Sequence, residues 1–114
     1  MIDFACKKVS LEDLVRCSFA LSKTEYNLLM FMARDGFSGS ASEAGKKLGL
    51  ERTTIQKAFS VLLEKKLVSR RQLNLEAGGY VFSYKSIEKK ALKEMIFGIV
   101  KEWHAKAQKE IDSL

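Results

Sequence analysis

The chain has 114 residues, no Pro, two Cys and one His, with 46% hydrophobic and 30% charged residues. That length argues for one domain and excludes a barrel or a doubly wound nucleotide fold, while the hydrophobic share argues against disorder. The net charge of +6 is unevenly placed. Residues 44–85 hold nine basic and three acidic residues, against five and six in 1–43 and six and five in 86–114, which marks the middle of the chain as a candidate polyanion-binding face.

No apolar run approaches the roughly 18 residues of a membrane span; Met95 to Val100 is the longest notable one. Asp3 comes early and Lys7-Lys8 late, the wrong order for a secretory signal. The expectation is therefore a soluble, cytoplasmic protein. Asn and Gln total five while Lys and Glu are plentiful, a balance reported for thermophile proteins.

Ser10-Leu11-Glu12-Asp13 reads as a capping box that opens a first helix over about Leu11 to Ala20. Ser22-Lys23-Thr24-Glu25 is a second box, with Leu21 placed to staple onto Tyr26. From Tyr26 to Ala33 nearly every side chain is apolar, as in a helix buried on several sides. Asp35 to Gly39 predicts a turn, and Ser40-Ala41-Ser42-Glu43 a third box opening a short helix through Leu48. Gly45 inside that helix costs roughly 1 kcal/mol against Ala, which a close helix–helix approach would explain. Gly49 suits a left-handed cap, with Leu50 folding back onto the core.

The next helix is predicted from Arg52 to Lys65. Ile55, Phe59 and Leu62 form its inward stripe, and Arg52, Thr53, Gln56, Lys57 and Ser60 lie on the other side. The period then changes. Val68 to Leu75 and Tyr80 to Lys85 read as two strands joined by Glu76-Ala77-Gly78-Gly79. From Ser86 onward helical spacing returns and runs to the end, about 28 residues or roughly 42 Å.

Catalysis needs a nucleophile with a base, paired carboxylates or a phosphate-cradling loop, and none occurs. Cys6 and Cys17 with a distant His104 make a poor metal set. No cofactor or metal is expected, and the thiols are read as buried or idle, with a redox switch as the alternative. His104 beside Trp103 is read as an interface residue.

The segment 40–85 resembles the winged helix-turn-helix of MarR-like and TrmB-like transcriptional regulators. The matching motifs are Leu21-Ser22-Lys23-Thr24-Glu25-Tyr26, the stretch Ser40 to Leu50, Thr53-Thr54-Ile55, and Leu62 to Val68. A short chain with a long last helix looks most like the small archaeal members of that group. The fold implied is mainly α with a small β-hairpin: an N-terminal helix over 10–21, the helix-turn-helix and wing over 22–85, and a C-terminal dimerisation helix over 86–114.

The resemblance implies sequence-specific binding of double-stranded DNA, with the helix from Arg52 in the major groove. Arg52, Thr53, Gln56 and Lys57 are then presented to base edges. Thr54 faces the turn or a phosphate, and Ser42, Lys46 and Lys47 meet the backbone. Arg70 and Arg71 point to opposite faces of their strand, so only one faces DNA directly. Three departures stand out. Lys66 occupies a position often held by Gly, Glu51 stands where Ser or Thr usually caps (Thr53-x-x-Gln56 offers a rival start), and the wing tip around Glu76 lacks an Arg.

Leu92, Ile96, Ile99, Trp103, Ala107, Ile111 and Leu114 form a single helical seam that predicts a homodimer. The competing reading folds that seam over the N-terminal helix of the same chain; both can hold, with Leu11, Leu14 and Val15 joining the interface. The alternative function is a winged-helix protein-interaction module or a general, nonspecific DNA-binding protein of the transcription machinery. DNA binding would place the protein on the nucleoid, and the sequence leaves any small-molecule effector unnamed.

Overall fold

Three serines start three helices in the computed structural model, which describes residues 1–114. Ser10 caps α1 (Leu11–Phe19), Ser22 caps α2 (Lys23–Asp35) and Ser40 caps α3 (Ala41–Leu48). Each hydroxyl accepts from the backbone N–H three residues on, at 3.1, 3.2 and 3.2 Å, and the Asp13, Glu25 and Glu43 carboxylates accept in return from the cap N–H groups. All three capping boxes read from the sequence are present. Helix α1 stops one residue short of expectation because Ala20 turns left-handed at φ 54°. The Lys65 ammonium donates to the carbonyls of Phe19 and Ala20 there, a cation at the negative end of a helix dipole. One cation of the basic middle segment is thus committed to structure.

Helix α4 (Arg52–Glu64) starts at Arg52 although Glu51 makes no side-chain cap bond; the rival start at Thr53 is not used. At its other end Lys66 adopts φ 61°, and the Leu67 N–H donates back to the Leu62 carbonyl at 2.9 Å. Lys66 therefore takes the conformation glycine would take, at a cost of about 1 kcal/mol.

Strands β4 (Val68–Asn74) and β5 (Tyr80–Ser86) pair antiparallel, from Val68 opposite Ser86 to Asn74 opposite Tyr80. Gly78 and Gly79, both at positive φ, carry the turn. Two features escaped the sequence reading. Ser38–Gly39, expected in a turn, is a short strand β3 against Lys85 and Tyr84, giving the sheet order β3-β5-β4. Ile2–Asp3 (β1) and Lys8–Val9 (β2) form a separate small hairpin. Helix α5 (Lys89–Asp112) begins later than expected because Ser86 belongs to the sheet; its 24 residues span about 36 Å.

The core lies where α2, α3 and α4 meet the inner face of the sheet. Leu28, Leu29, Ala44, Ile55, Phe59, Leu62 and Leu67 are fully buried, each large apolar side chain contributing about 1.5–3 kcal/mol. Phe59 of α4 stacks on Tyr84 of β5, with centroids 3.9 Å apart and rings within 6° of parallel. That contact fixes the sheet against α4.

The seam of α5 is divided. Leu92 is buried within the protomer, while Met95, Ile96 and Ile99 pack against the core. Val15, expected at a dimer interface, is 1% exposed because α1 packs against α5. Val15 and Leu92 are thus structural core residues. Val100 and Trp103 are exposed but border a hollow of about 340 Å³ with Ile2, Phe4 and Val9 of the N-terminal hairpin and Leu14 of α1. Further along, Ile111 and Leu114 are exposed, and the molecule measures 66 × 23 × 21 Å. Leu50, expected in the core, is also exposed.

Candidate nucleic-acid interface

The turn between α3 and α4 is set by two glycines with different tasks. Gly49, at φ 68°, provides the left-handed cap, and its N–H donates to the Gly45 carbonyl. The Leu50 N–H donates to the same carbonyl at 2.9 Å. Gly45 is required for closeness: a Cβ there would stand 2.7 Å from the Leu50 carbonyl oxygen. The close approach is made by the turn residue and not, as expected, by a neighbouring helix. With Ala44 and Ala58 buried between them, α3 holds α4 with its N-terminal half outward.

Arg52, Thr53, Thr54, Gln56 and Lys57 are all exposed on that half, as are Ser42, Lys46 and Lys47 on α3. Arg52, Gln56 and Ser42 line one cleft with Tyr80, Phe82 and Tyr84 of β5, a hollow of about 340 Å³ that no carboxylate enters. Thr53, Thr54, Lys46, Lys47 and Lys57 lie outside it, on the surrounding surface. Ser42 is not the cap of α3; Ser40 is, which leaves the Ser42 hydroxyl available to the cleft. The Glu43 carboxylate is held below the usual carboxylate range, chiefly by the Ser40 backbone N–H and then by its hydroxyl.

Tyr80 and Phe82 are the residues that sequence reasoning missed. Their rings meet edge-on with centroids 5.4 Å apart, and Tyr80 is 58% exposed. The signal lay in the period-two spacing of Tyr80, Phe82 and Tyr84, which puts all three on the sheet face turned toward α4.

Arg70 and Arg71 separate as alternation requires. The Arg70 guanidinium lies 4.2 Å from the centre of the Phe82 ring, a cation–π contact on the cleft side. Arg71 points from the opposite face, opposite Ser83. Cys6 and Cys17 are exposed free thiols, so of the buried-or-idle reading burial does not hold. His104 is also exposed, beside exposed Trp103 on α5.

No protein-family model matches the chain. An uncharacterized protein of Methanocaldococcus jannaschii is 30% identical over 103 residues, covering 90% of this chain and 84% of that protein. A solved structure described as a possible transcriptional regulator from Methanosarcina mazei superposes with a TM-score of 0.87 at 33% identity, over 99% of this chain and 95% of the other. The chain belongs to this family of archaeal winged-helix proteins. Its helix-turn-helix is α3-turn-α4 and its wing is the β4–β5 hairpin. MarR of Staphylococcus aureus shares the winged-helix fold with a TM-score of 0.53 at 13% identity, over 88% of this chain and 65% of that protein. The resemblance to MarR-like regulators is thus borne out as a likeness of fold. No helix of this winged-helix chain is long and apolar enough to cross a membrane.

Proposed function

We propose that this chain is a transcriptional regulator that binds double-stranded DNA as a homodimer, with α4 entering the major groove. The observation that carries the reading is the carboxylate-free cleft in which Arg52 and Gln56 of α4 converge with Ser42 of α3 and the wing. Arg suits bidentate contact with guanine and Gln with adenine, while Lys57 reads guanine or holds a phosphate. Thr53 serves the same groove. Lys46, Lys47 and Thr54, around the cleft, serve the flanking phosphates. Arg70, braced on Phe82, is the wing cation directed to this duplex.

The dimer follows from α5. Trp103 is 60% exposed, Ile111 66% and Leu114 fully; Trp103 borders an apolar hollow shared with α1 and the N-terminal hairpin, and Ile111 and Leu114 follow further along the helix. Their burial against a two-fold copy, with Ala107, the rims of Ile96 and Ile99, and Leu11 and Leu14 of α1, removes that apolar surface from water. Two recognition helices related this way address half-sites about 34 Å apart.

The test is charge reversal on the recognition face. Arg52→Glu with Lys57→Glu lowers affinity for the bound duplex at least about a hundredfold, with dimerisation and helix content unchanged. Wild-type affinity in the double variant places recognition elsewhere. Feeble, featureless DNA binding together with a protein partner on this face establishes the interaction-module alternative.

A further inference from the structure

The outer face of the wing sheet carries a second polar, basic site. Register pairing sets Ser38 of β3, Lys85 of β5 and Ser69 of β4 in one row, and Ser83 opposite Arg71 in the next. Alternation turns these five side chains to the face away from Tyr84 and α4. They line a shallow hollow of about 340 Å³ with no hydrophobic residue. Arg70 borders it through the strand, since its own side chain lies against Phe82 on the other face.

Lys85 and Arg71 are diagonal cross-strand neighbours, about 7–8 Å apart at the backbone and within reach of one another through long side chains. Neither forms an ion pair: the only carboxylate so engaged in the molecule is Glu12, with Arg16 and Lys23. Two adjacent unneutralised cations flanked by three hydroxyls form the donor set that contacts phosphate oxygens. The next row, Leu73 opposite Val81, is apolar and closes the site on that side. Without a ring platform inside the hollow the site has no means of selecting a base or a small aromatic ligand. Two exposed cations hold an isolated phosphate weakly, whereas a polyanion gains from releasing its counterions.

We propose that this face is a second DNA-backbone site, taking the phosphates of a duplex segment other than the one read by α4, so that the protein joins two segments. The inference rests on the DNA-binding reading above. The two sites lie on opposite faces of one thin sheet, so one straight duplex cannot occupy both.

The experiment is a bridging capture. A biotinylated duplex on beads is mixed with the full-length protein and a second, fluorescent duplex, and retained fluorescence is read at about 50 mM salt. Wild type retains the second duplex; Arg71→Glu with Lys85→Glu lowers retention at least about tenfold, while affinity for a single short duplex stays within about twofold. Both residues are exposed strand positions, and Arg71→Gln with Lys85→Gln gives an intermediate loss. Unchanged retention in the charge-reversed variant overturns the proposal, because bridging would then run through the recognition helices of two protomers. Absence of retention by wild type overturns it as well. The underlying reading fails separately: Arg52→Glu with Lys57→Glu would then leave single-duplex binding intact while Arg71 and Lys85 still controlled capture.

Discussion

Replacing Gly45 with Ala tests whether the α3–α4 turn is held by contact or by propensity. In an exposed helix the change would stabilise by roughly 1 kcal/mol. Here the new Cβ would stand 2.7 Å from the Leu50 carbonyl oxygen, so the turn must move by over half an ångström to restore about 3.4 Å of ordinary contact. That movement strains the two bonds from Gly49 and Leu50 to the Gly45 carbonyl. Overpacking of this kind costs about 1–3 kcal/mol, so once the propensity gain of about 1 kcal/mol is offset the net destabilisation is up to about 2 kcal/mol. For a domain of this size that lowers Tm by up to about 10 °C. Thermal unfolding followed by circular dichroism reads it directly, and DNA affinity falls with it because α4 is displaced. A Tm raised by several degrees, the result that helix propensity alone would give, would refute the claim that the Leu50 approach dictates glycine at this position.

Gly98 provides the opposite case: nothing lies within 4 Å of a Cβ placed there, so Gly98→Ala raises stability by about 0.5–1 kcal/mol, and a loss in chemical denaturation would contradict the open surroundings. Trp103→Asp with Ile111→Asp yields monomers in analytical ultracentrifugation and lowers DNA affinity by about 10²–10⁴ through lost bivalency; persisting dimers would place the interface off α5. Ile99 is a poorer choice because it packs against the protomer's own core. The Asp13 and Glu43 carboxylates are lowered by their Ser10 and Ser40 backbone bonds first and by the serine hydroxyls second. Groups depressed in the folded state contribute stability that is full above their unfolded pKa and lost as pH falls through the folded one. Tm therefore declines below about pH 4.3, less steeply in Glu43→Gln, and equal slopes for the variant and wild type would count against the cap.

The helices were legible because their signals are local. Ser10, Ser22 and Ser40 each carry an acidic residue three positions on, and the box they form depends on nothing distant. Lys66 was legible in part: its place is often held by Gly in the resembling family, which left both a left-handed cap and a different ending open, and the left-handed one forms. The two-residue strands were not. Ser38–Gly39 is too short to show alternation, and its partners Lys85 and Tyr84 are over forty residues away. The division of the α5 seam was equally hidden: helical spacing makes Leu92, Ile99 and Trp103 equivalent, and only the packing of α1 separates the buried first half from the exposed second. At the cleft, Arg52, Gln56 and Ser42 were foreseen, but Tyr80 and Phe82 were not, because their approach to α4 depends on the Phe59–Tyr84 stack.

The most direct measurement is selection of duplexes from a random-sequence pool by the purified protein. Fluorescence anisotropy on the enriched duplex and a scrambled one then follows, across roughly 50 to 200 mM salt. The expected result is an inverted repeat with half-sites about one helical turn apart and a preference of about a thousandfold that persists in salt. No enrichment, with equal and salt-erased affinity for both duplexes, would contradict it.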